Sequence, residues 1–175
     1  GADGEQVARG CGADPRIGKE FLRAGPGWGG SCFPKDVKAL QKLGEKIGHP
    51  LPLVNATLTM NGLARQRVIE RLTKELDPLT GRVIGVLGVA FKNNTDDMRE
   101  SPAVDMIRLL LAHGAQIRVH DPVARIVPEV HGFEVPHCAN PYAVAEGAHA
   151  VLIATEWEAY RQLDLKRLRQ AMAGD

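Results

Sequence analysis

The chain has 175 residues, 44% hydrophobic and 25% charged, with a formal net charge of +1. That balance describes a globular protein with a sizeable core, about one domain or one and a half in size. It gives no electrostatic case for nucleic acid or an anionic membrane as partner, and no apolar run reaches the ~18 residues of a membrane span.

The opening Gly1–Gly10 is too polar for a signal peptide and lacks an initiator Met. The expectation is a fragment or a processed piece of a longer chain. The three cysteines, Cys11, Cys32 and Cys138, are odd in number and make no Cys-x-x-Cys pair. That argues against a disulfide scaffold or a zinc ribbon. Reduced thiols point to the cytoplasm. Cys11 and Cys138 read as small buried apolar side chains.

In chain order, residues 1–12 read as the end of a helix stopped near Gly10 and Gly12. Residues 13–31 hold five glycines and Pro26 and read as a loop. A helix is expected from near Pro34 to about Gly48, with proline in its first turn. A second follows Pro52, carries Val54, Leu58, Val68, Leu72 and Leu76 on a helical period, and ends at Asp77-Pro78. A domain boundary is expected there, dividing residues 1–78 from 79–175.

Beyond Gly81 strands and helices alternate. Strands are expected at Arg82–Leu87, Gln116–His120 and Ala150–Ala154, with a short one at Phe133–Val135. Helices are expected at Pro102–His113, capped by Ser101 and closed by Gly114, and at Pro141–Glu146 and Leu165–Met172. The alternation predicts an α/β fold: a helical segment followed by a Rossmann-like parallel sheet covered on both faces. The turn Gly85-Val-Leu-Gly88-Val-Ala-Phe91 departs from the dinucleotide fingerprint. Its second glycine is displaced, Phe91 stands for the third, and Asp121 lies 33 positions past Gly88 where about 20 are expected. Asp121-Pro122 reads as a strand-end turn.

The chemistry concentrates at Gly27-Trp-Gly-Gly-Ser-Cys-Phe-Pro-Lys-Asp36. Glycines let backbone approach a ligand closely. Cys32 sits where a helix is expected to begin, and helix N-termini favour thiolate over thiol. Lys35 adds a cation. Asp36, four residues on, shares a face with Cys32 if the helix includes both. A thiolate with a nearby carboxylate is a nucleophile with a base or water-positioner. His131 and His137 beside Cys138 lack a fourth ligand at suitable spacing, so no metal is expected.

This segment resembles the Gly-x-Gly-Gly-Ser-Cys-Phe-Pro-Lys-Asp signature of the UDP-glucose/GDP-mannose dehydrogenase family. Arg16–Gly27 resembles that family's substrate loop. Phe91-Lys-Asn-Asn-Thr-Asp-Asp-Met-Arg-Glu-Ser-Pro-Ala103 and Ala154-Thr-Glu-Trp157 resemble two further stretches. The resemblance implies oxidation of a nucleotide-sugar C6 alcohol to a carboxylate with two NAD per turnover, through a Cys32 thiohemiacetal and thioester. It makes Asp36 the assistant of Cys32 or of the hydrolytic water. It makes Arg16, Phe21, Leu22, Arg23, Ala24, Gly25, Gly29 and Lys92 substrate contacts, and Lys35 and Arg99 cofactor contacts. It implies a UDP-sugar substrate, a homodimer built on the helix after Pro52, and a UDP-binding second domain. The family's N-terminal NAD-binding domain is expected to be absent from these residues. UDP-glucose, giving UDP-glucuronate, is the expected substrate. GDP-mannose, UDP-N-acetylmannosamine, or a non-catalytic nucleotide-sugar-binding or dimerisation module are the alternatives.

Overall fold

A computed structural model of the chain describes residues 2–125 and 135–173. Helices α1 (Gly4–Gly12), α2 (Phe33–Lys46) and α3 (Pro52–Leu76) precede strand β1 (Val83–Leu87). Then follow α4 (Pro102–Ala112), β2 (Gln116–His120), α5 (Pro141–Ala145), β3 (Ala150–Ile153), α6 (Glu158–Arg161) and α7 (Leu165–Ala171). The strands form one parallel sheet in the order β2-β1-β3, with Val83 opposite Gln116 and Ile84 opposite Ala150. This is the α/β, Rossmann-like arrangement the alternating pattern predicts.

Strand β1 is central, so both its faces are covered and its run Val-Ile-Gly-Val-Leu is continuously apolar. Side chains alternate across a strand. Ile84 and Val86 join Met106, Ile107 and Leu110 of α4 in one core. Leu87 joins Val144, Trp157 and Tyr160 in a second core on the other face. Gly85 is glycine for a packing reason: a Cβ there would lie 2.4 Å from Cγ1 of Val144.

Several sequence expectations are corrected. Ser101 stands at the start of α4 without capping it; its hydroxyl donates instead to the Val89 carbonyl at 2.7 Å. Cys11 is exposed, and Cys138 is half-buried against the second core. The four-residue α6 is too short to show a period, yet it brings Tyr160 into the core. Phe133 and Glu134, expected in a strand, lie outside the described residues. The chain does pair beside β2, through a single bridge between Val119 and His137. Helix α1 begins within these residues, with Asp3 accepting from the backbone of Glu5 and Gln6. No helix among the described residues is long and apolar enough to cross a membrane.

Helix α3 divides its apolar residues. Ile69 is buried in the first core, with Val68, Leu72 and Leu76 packed beside it. Leu53, Met60 and Leu63, nearer the start of the helix, are exposed. Between them Asn61 faces the glycine loop. Its Oδ1 accepts from Trp28 N at 2.8 Å and its Nδ2 donates to Trp28 O at 3.1 Å. Arg65 Nη2 donates to the same carbonyl at 2.8 Å. Gly27, at φ +100°, must be glycine, since a Cβ would sit 2.4 Å from Asn61 Oδ1.

At the C-terminal ends of the strands lies Asp121, fully buried. It does make the expected turn: Oδ1 accepts from Val123 N and Ala124 N at 3.0 and 2.9 Å. Its other oxygen reaches further. Oδ2 accepts from Val89 N at 2.8 Å, Ala90 N at 3.1 Å and the Trp157 indole at 3.2 Å. Burial pushes this carboxyl up, but hydrogen bonds from Val123, Val89, Ala124 and Ala90 together hold it below its usual 3.8. The adjacent His120 is pushed below its usual 6.5, chiefly by burial and then by His137 and Arg125, against an opposing pull from Asp121.

Two outcomes are expected. Asn61→Ala strands the Trp28 amide and one acceptor bond, so stability falls by about 1–3 kcal/mol and exchange of the Trp28 amide hydrogen accelerates. Hydrogen exchange and thermal melting measure this. Folded His120 and Asp121 both bind protons less readily than unfolded ones, so stability rises with pH through each transition. Melting temperature is therefore level above pH 7, falls as the pH drops through 6.5, and falls again below pH 4. His120→Gln removes the upper step and keeps the lower one.

Candidate active site: a cysteine at a helix start, seated on a second loop

Cys32 occupies the N-cap position of α2, with Pro34 in the first turn. It is exposed, and its sulfur lies 3.7 Å from Ser31 Oγ. The amide of Asp36 donates to the Cys32 carbonyl at 3.0 Å, which places Asp36 one helical turn on. Its carboxylate is 3.5 Å from Lys35 Nζ, and both side chains are open to solvent. Thus a thiol, a cation and a carboxylate stand together where unpaired helical N–H groups give partial positive charge.

The loop carrying Cys32 rests on the loop between β1 and α4. Gly30 N donates to Arg99 O at 3.1 Å. A Cβ on Gly29 would lie 2.1 Å from Glu100 O, and one on Gly30, at φ +93°, would meet the Phe91 ring at 2.8 Å. Both glycines are therefore required by close approach. Lys38 Nζ bonds both carboxylate oxygens of Glu100, at 2.9 and 2.8 Å. The two motifs separated by some sixty residues in sequence are one surface in space.

Arg99 donates to Asp97 through Nε and Nη2 at 2.9 and 2.8 Å. Those bonds hold the Asp97 carboxyl down to about 2. The Arg99 guanidinium is raised mainly by Asp97. Lys92 lies with Nζ 5.1 Å from the Phe91 ring centroid, on the same loop. The structure thus gathers Cys32, Lys35, Asp36, Gly29, Arg99 and Lys92 around one loop-on-loop contact.

The remaining sequence candidates lie elsewhere. Leu22, Arg23 and Ala24 line a cleft of about 760 Å³ shared with α1 and with Glu156 and Arg161 beyond β3; Cys32 is not among its walls. Arg23 and Arg161 both pair with Oε2 of Glu156, at 3.1 and 3.0 Å. Four cationic and three acidic side chains line this cleft. Arg16 is turned onto its own loop, donating to Asp14 at 3.0 and 2.6 Å. Phe21 is fully exposed at φ +62°, and Gly25 is exposed.

Sequence reasoning did not single out Lys38, Glu100, Glu156 or Arg161. Lys38 and Glu100 carry ordinary surface charges that pair across 62 positions. Glu100 and Glu156 do belong to the Phe91–Ala103 and Ala154–Trp157 stretches that resemble the family's. His137 serves the fold, with Nε2 3.2 Å from Asp121 N and 3.1 Å from Ala124 O; His131 lies outside the described residues. Among the described residues no three His, Cys, Asp or Glu side chains gather as a metal would require.

Comparison with known proteins agrees with this geometry. The model of the UDP-glucose/GDP-mannose dehydrogenase family, central domain, matches residues 1–62, and that of its UDP binding domain matches residues 85–175. The chain is 40% identical over 172 residues to UDP-glucose 6-dehydrogenase TuaD of Bacillus subtilis, covering 97% of this chain and 37% of that protein. It is 42% identical over 177 residues to UDP-glucose 6-dehydrogenase of Rhizobium meliloti, covering 98% of this chain and 40% of that protein. Among solved structures, a UDP-glucose dehydrogenase from the archaeon Pyrobaculum islandicum superposes with a TM-score of 0.84 at 39% identity. That match covers 97% of this chain and 42% of the other. The chain thus spans about 40% of the length of these relatives. With two family models laid end to end along a fold in which the cysteine loop and the Phe91–Ser101 loop meet, the chain belongs to the UDP-glucose/GDP-mannose dehydrogenase family.

Proposed function

We propose that these residues are part of an NAD-dependent dehydrogenase that oxidises UDP-glucose to UDP-glucuronate, with Cys32 as covalent nucleophile. The observation that carries the reading is the exposed Cys32 at the start of α2, with Asp36 one turn on and the Arg99 loop beneath it. The relatives at about 40% identity bear the name of that activity, which favours UDP-glucose over GDP-mannose or UDP-N-acetylmannosamine. A purely binding or dimerising module would need no thiol, cation and carboxylate set together at a helix start.

The chemistry follows from an aldehyde's inability to give up a hydride unaided. The Cys32 sulfur adds to the aldehyde carbon, and the carbonyl oxygen takes up a proton, leaving a thiohemiacetal. Loss of hydride from that carbon, with loss of the hydroxyl proton, gives a thioester. Water adds to the thioester carbonyl, the carbon–sulfur bond breaks, and the acid leaves with the thiol regenerated. Asp36 serves the sulfur or orients the water. Lys92 and the cleft of Leu22, Arg23 and Ala24 suit an anionic sugar nucleotide, because cations outnumber acids there.

NAD, when bound, supplies the hydride acceptor. The exposed Lys35 and Arg99 fit the edge of such an anionic cofactor. The β1 turn does not fit its pyrophosphate: the Val89 and Ala90 amides that would face one are already given to Asp121. Residues 79–175 accordingly form the UDP-holding domain and residues 1–78 the cysteine-bearing and dimerising one. Three free cysteines suit a reducing cytoplasm.

The homodimer forms on α3, the helix after Pro52. Leu53, Met60 and Leu63 of α3 stand exposed, as do Leu40 and Leu43 of α2, and this is apolar surface that a second copy would cover. Burying a large aliphatic side chain is worth about 1.5–3 kcal/mol.

In the full-length protein, Met60→Glu with Leu63→Glu should convert dimer to monomer by sedimentation at micromolar concentration. A wild-type protein that is monomeric there would remove the dimer from the proposal. Cys32→Ser and Cys32→Ala should lower steady-state acid formation by roughly 10²-fold or more. UDP-glucose affinity should hardly change, since one small side chain is altered. NADH release and mass spectrometry of the product decide the matter, and near-normal turnover in both variants would make Cys32 structural.

A further inference from the structure

We propose that Asp121 is a positioning residue for Cys32, acting through a pinned two-residue pedestal and the Phe91 ring; as a statement about turnover, this rests on the dehydrogenase reading above. The pedestal is Val89-Ala90. The Val89 amide donates to Asp121 Oδ2 at 2.8 Å and its carbonyl accepts from Ser101 Oγ at 2.7 Å. The Ala90 amide donates to the same Asp121 oxygen at 3.1 Å and its carbonyl accepts from Thr155 Oγ1 at 2.7 Å. All four polar backbone atoms of two successive residues are thus held by three buried side chains. The residue before them is fixed as well, Gly88 N donating to His120 O at 2.8 Å. Val89 and Ala90 are buried, so their backbone groups need partners other than water, and side chains from three segments supply them.

What emerges from the pedestal is Phe91, whose direction the pinned peptides determine. Its ring lies flat enough on Gly30 that any Cβ there would be 2.8 Å away. Gly30 is two residues before Cys32 and is tied to the same loop by its amide bond to Arg99 O at 3.1 Å. One path from Asp121 to the sulfur therefore runs through one rigid turn, one ring and one glycine contact. Asp121 is not among the groups that touch the thiol or line the cleft, so it acts on Cys32 through the pedestal, by Phe91 against Gly30 and by Ser101 and its neighbour Glu100 against Gly29.

Asp121→Asn keeps the shape but sets an amide NH2 against backbone donors on one side, so the pedestal loosens. Phe91→Ala removes the ring that transmits its position. A double-mutant cycle in the full-length protein reads the link, using the rate of Cys32 alkylation by iodoacetamide, followed by mass, and kcat with UDP-glucose. Each single variant is expected to change both rates by about threefold or more, with the double variant's effect clearly smaller than the product of the two singles. Thr155→Val, which releases the Ala90 carbonyl, is expected to couple to Phe91→Ala in the same manner and replaces Asp121→Asn if that variant does not fold. Multiplicative effects, or a folded Asp121→Asn with unchanged alkylation and kcat, overturn the proposal. A wild-type protein that oxidises no UDP-glucose while the alkylation rates still couple overturns the dehydrogenase reading and leaves the positioning role standing.

Discussion

A buried carboxylate held by hydrogen bonds is the constraint on which the α/β half depends. Removing an ionised group from water costs several kcal/mol, and among the described residues Asp121 has no salt bridge to offset it. Five N–H donors, four of them backbone, take the place of water. Bonds to a charged group are worth about 1.5–3 kcal/mol each, so five of them offset a cost of several kcal/mol. The donors come from three segments, one following each strand. The carboxylate thus does in one place what separate turns would otherwise do in three. It also consumes the amides with which a dinucleotide-binding turn would meet a pyrophosphate, so the Rossmann shape is kept while its usual ligand contact is closed.

The second junction is the seating of the cysteine loop on the β1–α4 loop, and magnitudes decide what holds it. The Lys38–Glu100 pair is half-exposed, and such pairs contribute about 0.2–1 kcal/mol. The fit rests instead on Gly29 and Gly30, whose missing side chains admit the Glu100 carbonyl and the Phe91 ring. On its other side the loop is held by Asn61 and Arg65 of α3. Arg65 is itself mostly buried and 3.3 Å from Asp105 of α4. The cysteine loop is therefore clamped between α3 and the sheet-end loops, while Cys32 itself stays open to a reactant.

Function is divided along this architecture. The thiol, Lys35 and Asp36 lie at a helix start. The cleft of Arg23, Glu156 and Arg161 lies at the end of β3, where parallel sheets commonly receive ligands. The loop from Phe91 to Ser101 carries both Lys92 and Arg99 and lies against the cysteine loop.

The central strand beyond Gly81 was legible because burial on two faces forces an apolar run, as Ile84–Leu87 displays, while the edge strand Ala150–Ile153 is as apolar though only partly buried. The candidate site was legible at Gly27–Asp36, where glycines, a cysteine and two charges crowd into ten positions. The bare sequence did not reveal that Ser101 serves Val89 rather than its own helix, or that Cys11 is exposed. Nor did it reveal that α3 gives half its apolar residues to the α/β core. Each depends on what the chain meets in space, and a side chain's partner across thirty or sixty positions leaves no local period. Asp121 marks the limit most clearly. In sequence it is one acid before a proline, a turn signal and nothing more. Only when three strand ends converge do their amides make it the centre of the sheet's edge, because a buried charge takes its meaning from the donors that surround it.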